Sequence, residues 1–269
     1  MTSPNDVPPE VDMYTPSPAR IYDYVLGGKD NFEVDRAIAR PILEQAPALR
    51  DLAVANRRFL ERVVHYMVHE CGIAQLLDIG SGLPTANNVH QIAQRINPKA
   101  RVVYVDNDPT VHVQAEALIV GDQFTRYVDG DVRTPERILS HPVTRELIDF
   151  TQPVGVLFVS LLQFVHDSDD PHGVVARILD EMPSGSHVGI AHVTDHGIDP
   201  VVHKKIEEMY ASVPNRFYFR SREQVARFFS GWDIVPPGVV YGNDWIVTAE
   251  SVATTQLPMN FWCGVARKP

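Results

Sequence analysis

Three acidic residues stand where a short apolar run gives way to a turn: Asp78 in LLDIGSGLPT, Asp106 in VVYVDNDP and Asp131 in FTRYVDGDV. Carboxylates at such boundaries accept hydrogen bonds from hydroxyl and amino groups and favour nearby cations. Gly80 and Gly82, just past Asp78, permit a tight turn and a close approach of backbone to a bound nucleoside. Asp106 follows Gly82 by roughly two dozen residues, about the interval at which an acidic side chain meets ribose hydroxyls in nucleoside-binding folds. Asp131 is placed to accept from an adenine amino group, with the Val132 N–H serving a ring nitrogen. Each residue taken singly reads equally as a solvated cap or turn, and a lone G-x-G is weak. Three acidic strand ends in succession point instead to one shared nucleoside site, with Asn107 beside Asp106 and Ser160 at the end of VGVLFVS completing the expected set.

Strands are needed to present these residues on one edge. Short β-branched or apolar runs recur at 76–79, 102–106, 124–129, 154–160 and 187–193, separated by helical patterns. Asp108-Pro109, Thr134-Pro135, Asp170-Pro171 and Asp199-Pro200 each set a capping side chain before a proline at the first helical position, and Ser221 with Gln224 reads as a capping box. Such alternation implies right-handed crossovers and a parallel sheet covered on both faces. The segments 232–235 and 261–266 lack a full crossover between them and predict an antiparallel pair at one sheet edge.

Upstream of the first strand, apolar residues at helical spacing flank Gly27-Gly28, predicting helix, tight turn, helix. Leu52, Phe59, Val63 and Met67 then form one stripe of a long amphipathic helix ending near Cys71-Gly72. Residues 1–18 hold five prolines and predict an extended or disordered arm, leaving 19–269 as a single domain: a helical extension over 19–72 and an α/β core over 73–269. The polar segment beside the Gly27-Gly28 turn, Arg20, Tyr22, Asp23, Gly27, Gly28, Lys29, Asp30 and Asn31, is expected to fold over the cofactor as a lid; the competing reading is a packed helical hairpin with a solvated turn. Asn56, Arg57 and Arg58 either face the same cavity or lie on a plain exposed helix face.

The residues also narrow the cofactor. A dinucleotide pyrophosphate needs free N–H groups at the helix start and favours a third glycine, but that position is Pro84, which lacks a donor. S-adenosylmethionine has no phosphate, and its sulfonium and ammonium suit an acidic pocket. A protein that only holds this cofactor or its demethylated product, and a nicotinamide oxidoreductase on the same fold, are the alternatives. Either would share much of the sequence pattern.

Asp78-Ile79-Gly80-Ser81-Gly82, Asp106 and Gly130-Asp131-Val132 resemble the first three motifs of class I S-adenosylmethionine-dependent methyltransferases. RIYDYVLGGKDNFEVD, ANRRFL, DIGSGLPTANNVH, VVYVDNDP and LLQFVHDSDDP are similar to an actinobacterial S-adenosyl methyltransferase family once catalogued only as a domain of unknown function, over about Pro18 to the C-terminus. The resemblance implies a Rossmann-like α/β fold with a seven-stranded sheet, six strands parallel and one antiparallel. It also implies Asp78, Gly80 and Gly82 around the methionine part, Asp106 on the ribose, and Asp131 with Val132 on the adenine. Pro84 departs from the general class glycine, though not from the closer family.

Few catalytic side chains are expected, because methyl transfer from a sulfonium mainly requires two reactants held close, aligned and dry. His166 follows the fourth strand, where the methyl should point, and a base there could deprotonate an acceptor; a helix cap is the other reading. His65/His69 and His192/His196 have i, i+4 spacing without H-E-x-x-H, so no metal is expected. Two cysteines without C-x-x-C spacing suggest neither a disulfide framework nor a zinc site. A formal net charge of −10 disfavours a broad nucleic-acid surface and leaves a small-molecule acceptor as the expected partner. The N-terminus has no signal pattern and the longest apolar segment, 154–165, is too short to span a bilayer, predicting a cytoplasmic protein free of the membrane.

Overall fold

A computed structural model of the chain describes residues 11–85, 87–211, 213, 216–245 and 259–269. Five strands alternate with helices through the first two thirds of the chain: β1 (Gln75–Ile79), β2 (Arg101–Asp106), β3 (Thr125–Asp129), β4 (Gly155–Val159) and β5 (His187–Val193). Three further strands close the sheet, the short β6 (Asp233–Ile234) and β7 (Val240–Tyr241) and the longer β8 (Phe261–Arg267). The order is β3-β2-β1-β4-β5-β8-β6, parallel through β5, with β8 antiparallel to β5 and both β6 and β7 antiparallel to β8.

Eight strands stand where seven were expected, and the register explains the difference. Ile234 pairs with Ala266, and Val240 with Cys263, so β6 and β7 run along the same edge of β8. Pro236-Pro237 lie between them, and proline has no N–H to contribute to a ladder. The sixth strand is thus broken into two short pieces, while β8 is the antiparallel strand inserted between it and β5.

Helices cover both faces: α1 (Pro18–Val25), α2 (Glu33–Gln45), α3 (Leu49–His65), α4 (Val89–Ile96), α5 (Pro109–Leu118), α6 (Pro135–Ser140), α7 (Pro142–Leu147), α8 (Pro171–Asp180), α9 (Pro200–Tyr210) and α10 (Arg222–Ala226). The pleat sorts the central strands between two cores. Leu76, Val102, Tyr104 and Leu157 pack with Phe59 and Val63 of α3 and with Met67 of the π-helical turn that follows it (Tyr66–Glu70), whereas Leu77, Val103, Val105, Val156 and Phe158 pack with α6, α8 and α10. Each large apolar side chain so buried contributes roughly 1.5–3 kcal/mol, which is why the strands read as near-continuous apolar runs.

The expected caps form at several helix starts. Asp108 accepts from the Thr110 N–H, Asp170 from the Gly173 N–H, and Ser221 with Gln224 makes the capping box. The described part of the anticipated 1–18 arm is packed rather than free. Residues 1–10 lie outside the described residues, but Val11 is buried and the Ser17 N–H donates to the buried Asp35 carboxylate at 2.9 Å. Among the described residues no helix is long and apolar enough to cross a membrane.

Candidate functional site

β1 runs to β2 on one side of the sheet and neighbours β4 on the other, so the crevice at their carboxyl ends is the switch point where ligands bind in open α/β sheets. One cavity of about 190 Å³ opens there. Asp78, Gly80, Gly82, Asp106, Asn107, Asp131, Val132 and Ser160 all line it, so the strand-end residues singled out in the sequence come together on one wall.

The loop after β1 is held by its neighbour strand. Gly80 and Ser81 donate their N–H groups to the Val105 carbonyl at 2.8 and 3.1 Å. The Gly82 N–H donates to one Asp106 carboxylate oxygen at 2.8 Å, and the Asp108 N–H to the other at 3.1 Å. Gly80 sits at φ +71°, and a Cβ there would come within 2.5 Å of Leu161 beyond β4. A side chain would therefore meet both backbone strain and a packed neighbour.

Burial sets the charge state of this wall. Desolvation pushes the Asp78 carboxyl up to about 7, opposed by Arg57 and reinforced by Asp106. It pushes Asp106 up to about 6 against the backbone N–H groups that favour the anion. Asp131 is held below the usual carboxylate range despite partial burial, because Arg133 pairs with it at 2.5 Å and the Asn107 amide donates to it at 3.2 Å. Two buried carboxyls that ionise reluctantly, next to one another and short of cations, form a site that gains from a positively charged ligand.

The N-terminal residues divide differently from the expectation. Arg20, Gly28, Lys29 and Asn31 do not line the cavity. Arg20 is buried against Asp35 (2.8 Å), Thr110 (3.0 Å) and Asp108 (3.7 Å), fastening α1 and α2 to the start of α5. Asn31 donates to Asp23 at 2.7 Å and accepts from Arg36 at 2.7 Å, and Lys29 is exposed. Of the same segment Tyr22 and Asp23 do line the cavity, as do Asn56 and Arg57 of α3 but not Arg58. Helical spacing carries the signal for the last pair, since Asn56 falls one turn before Phe59 and Leu60 on an otherwise apolar helix.

His166 is not on the cavity wall. It is exposed, accepts the Ser168 N–H at 3.0 Å as the cap of a short 3₁₀ turn, and stacks edge-on against Tyr218. Sequence reasoning missed Gln163, which lies three residues earlier in the same loop and is buried in the wall. It also missed Arg220. That guanidinium is buried, donates to the Leu162 and Val165 carbonyls at 2.7 and 2.9 Å, and pairs with Asp167 at 2.7 Å, fixing the whole loop beyond β4. Burial first, and the Arg220 charge second, lower the neighbouring His192 to about 3. Of the histidine pairs, His65 and His69 stack on the surface beside Glu70, and all three are exposed.

The pattern of the S-adenosyl methyltransferase family matches residues 4–269. The chain belongs to that family. It is similar to a DUF574 family protein from Streptomyces avermitilis, with 36% identity and a TM-score of 0.90 over 96% of this chain and 99% of the other. A candidate methyltransferase from Thermobifida fusca is 38% identical, also with a TM-score of 0.90, over 97% and 98% of the two chains. The N-methyltransferase NodS from Bradyrhizobium japonicum, solved with S-adenosyl-L-homocysteine, is similar in fold alone: 10% identity, a TM-score of 0.51, and 93% and 99% coverage. No curated protein sequence matches the chain. As a member of this family the protein is an S-adenosylmethionine-dependent methyltransferase, which sets aside the nicotinamide and binding-only alternatives.

Proposed function

We propose that the cavity at the carboxyl ends of β1, β2, β3 and β4 holds S-adenosylmethionine and a small-molecule acceptor. The observation that carries this reading is the convergence of Asp78, Asp106 and Asp131 from three neighbouring strands on one cavity. Asp106 accepts from the ribose hydroxyls while keeping the Gly82 loop in place. Asp131 and Val132 take the adenine edge, and Asn107 braces the Asp131 carboxylate. Asp78 faces the ammonium of the methionine part and Arg57 its carboxylate, which satisfies the two opposite charges that already sense each other in the fold. Gly80 and Ser160 supply backbone at close range. The cofactor brings a methyl group activated by a positive sulfur. The chain's own task is to orient the two reactants and exclude water, and helices α1 to α3 are suited to both as a cover over the sheet edge. With a formal net charge of −10 and an acidic cavity wall, a small acceptor in the cytoplasm fits better than a polyphosphate chain.

Titration calorimetry with S-adenosylmethionine tests the assignment. Asp106→Ala removes a charged hydrogen-bond acceptor worth about 1.5–3 kcal/mol, so affinity should fall by roughly one to two decades. Asp106→Asn, which keeps one acceptor oxygen for the Gly82 N–H, should fall less. Unchanged affinity in both variants, or tighter binding of NAD than of S-adenosylmethionine by the parent protein, overturns the reading.

A further inference from the structure

The same cavity extends away from the strand ends, between α1, α3, α9 and the segment 217–219. Its far wall is aromatic: Phe164 lies 6.0 Å from Tyr210 and 5.6 Å from Phe217, and Phe217 lies 4.9 Å from Tyr210 and 5.0 Å from Phe219 between ring centroids. If Asp78, Asp106 and Asp131 serve the cofactor, and Asp108 is held by Arg20, Thr110 and Ser17, one cavity carboxylate remains. That is Asp23. It is 4% exposed, and one of its oxygens accepts the Asp30 N–H at 2.9 Å and the Asn31 amide at 2.7 Å. Among the described residues the other oxygen has no hydrogen bond, and no cation pairs with Asp23. Gly28 makes room for it, since a Cβ at that position would lie 1.9 Å from this oxygen.

Two further acceptors in the wall lack partners. The side-chain carbonyl oxygens of Asn56 and Gln163 are buried with no hydrogen bond among the described residues. The orientation of Asn56 is fixed by its neighbour: the Tyr22 hydroxyl donates its only proton to the Ala53 carbonyl at 3.0 Å, so it must accept from the Asn56 amide nitrogen, also at 3.0 Å. The free atom of Asn56 is therefore the oxygen. An orphaned buried acceptor is costly and calls for a donor. Besides the groups assigned to the cofactor, the wall carries one carboxylate, two unpartnered carbonyl oxygens and aromatic faces, which attract positive charge and N–H groups.

We infer that the acceptor is a small aromatic or apolar molecule carrying a cationic amine, which Asp23 receives with Asn56 and Gln163 as further hydrogen-bond acceptors. The inference rests on the cofactor reading above, because that reading is what leaves Asp23 unassigned.

Matched probes separate charge from shape. Tryptamine against indole-3-propionate, and phenethylamine against 3-phenylpropionate, are titrated calorimetrically into the full-length protein with and without S-adenosylhomocysteine. The amine of each pair should bind roughly ten- to a hundredfold more tightly than the acid, as expected for one charge-assisted contact. Asp23→Asn, which keeps an acceptor for Asp30 and Asn31, should remove most of that preference and leave S-adenosylhomocysteine affinity within about twofold. Gln163→Leu should weaken the amines alone. No binding of either amine, equal or tighter binding of the acids, or an undiminished preference in Asp23→Asn overturns the inference while leaving the cofactor site intact. Loss of S-adenosylhomocysteine binding in the parent protein, with the amine preference retained, strikes the cofactor reading instead.

Discussion

Replacing Asp78 by asparagine should make the free protein more stable and its hold on the cofactor weaker. Among the described residues the Asp78 carboxyl has no hydrogen-bond partner, and burial raises it from an ordinary 3.8 to about 7. At pH 8 the group is ionised in both the folded and unfolded states, and the folded state carries the desolvation cost. A tenfold change in proton affinity corresponds to about 1.4 kcal/mol, so that cost is on the order of 4 kcal/mol. A raised carboxyl weakens the fold most above its folded value, and the penalty fades as pH falls from about 7 towards 4. The neutral amide avoids it, although burying an amide without full hydrogen bonding returns part of the gain. A net stabilisation of about 2–4 kcal/mol is expected at pH 8, raising Tm on the order of 5–15 °C and shrinking by about 2.6 kcal/mol, to about 1 kcal/mol or less, at pH 5. Thermal and urea unfolding of the cofactor-free protein at both pH values measure this, with titration of S-adenosylmethionine alongside. An Asp78→Asn variant that gains no stability at pH 8, or gains equally at both pH values, would refute the argument that a desolvated carboxylate is held for a cationic ligand.

The same carboxyls predict a pH dependence of binding: on the proposed assignment Asp78 at about 7 and Asp106 at about 6 must ionise to accept the cofactor, so the Kd for S-adenosylmethionine should be roughly tenfold or more weaker at pH 5.5 than at pH 7.5 by calorimetry. Gly80→Ala should cost about 2–4 kcal/mol in urea unfolding, from a left-handed φ of +71° combined with a 2.5 Å approach to Leu161. His166→Asn keeps a capping side chain at an exposed turn, so once an acceptor is in hand its maximal rate should stay within about threefold of the parent; a fall of two decades or more would restore the histidine to proton transfer.

The sheet is legible in the sequence because burial on both faces demands long apolar strands, and their ends are marked by residues that cannot continue them. Asp78-Ile79-Gly80, Asp106-Asn107 and Asp129-Gly130-Asp131 fall at such ends, and parallel pairing necessarily brings those ends to one edge. The split of the sixth strand is less legible, since two-residue strands leave no periodicity to read. The N-terminal segment misleads for a related reason. Polar residues beside a glycine turn look alike whether they face a ligand or each other, and only the fold reveals that Arg20 meets Asp35 and Thr110, which are distant in sequence.

His166 and Gln163 show the same limit at the acceptor end. In a strand the side chains alternate, so position predicts facing; the loop beyond β4 has no such rule, and its path is set by Arg220, more than fifty residues later. Chemical reputation favours the histidine, yet the cavity receives the glutamine. The fold divides its labour accordingly. The proposed cofactor wall is built from strand ends whose spacing is fixed by the sheet. The proposed acceptor wall is assembled from α1, α3, α9 and two loops that meet only through tertiary contacts, with Gly28 leaving room for Asp23 and Asn56 oriented through Tyr22. On the proposed assignment, substitutions among Tyr22, Asp23, Asn56 and Gln163 should therefore alter which molecule is methylated while leaving the sheet edge that is proposed to hold the cofactor undisturbed.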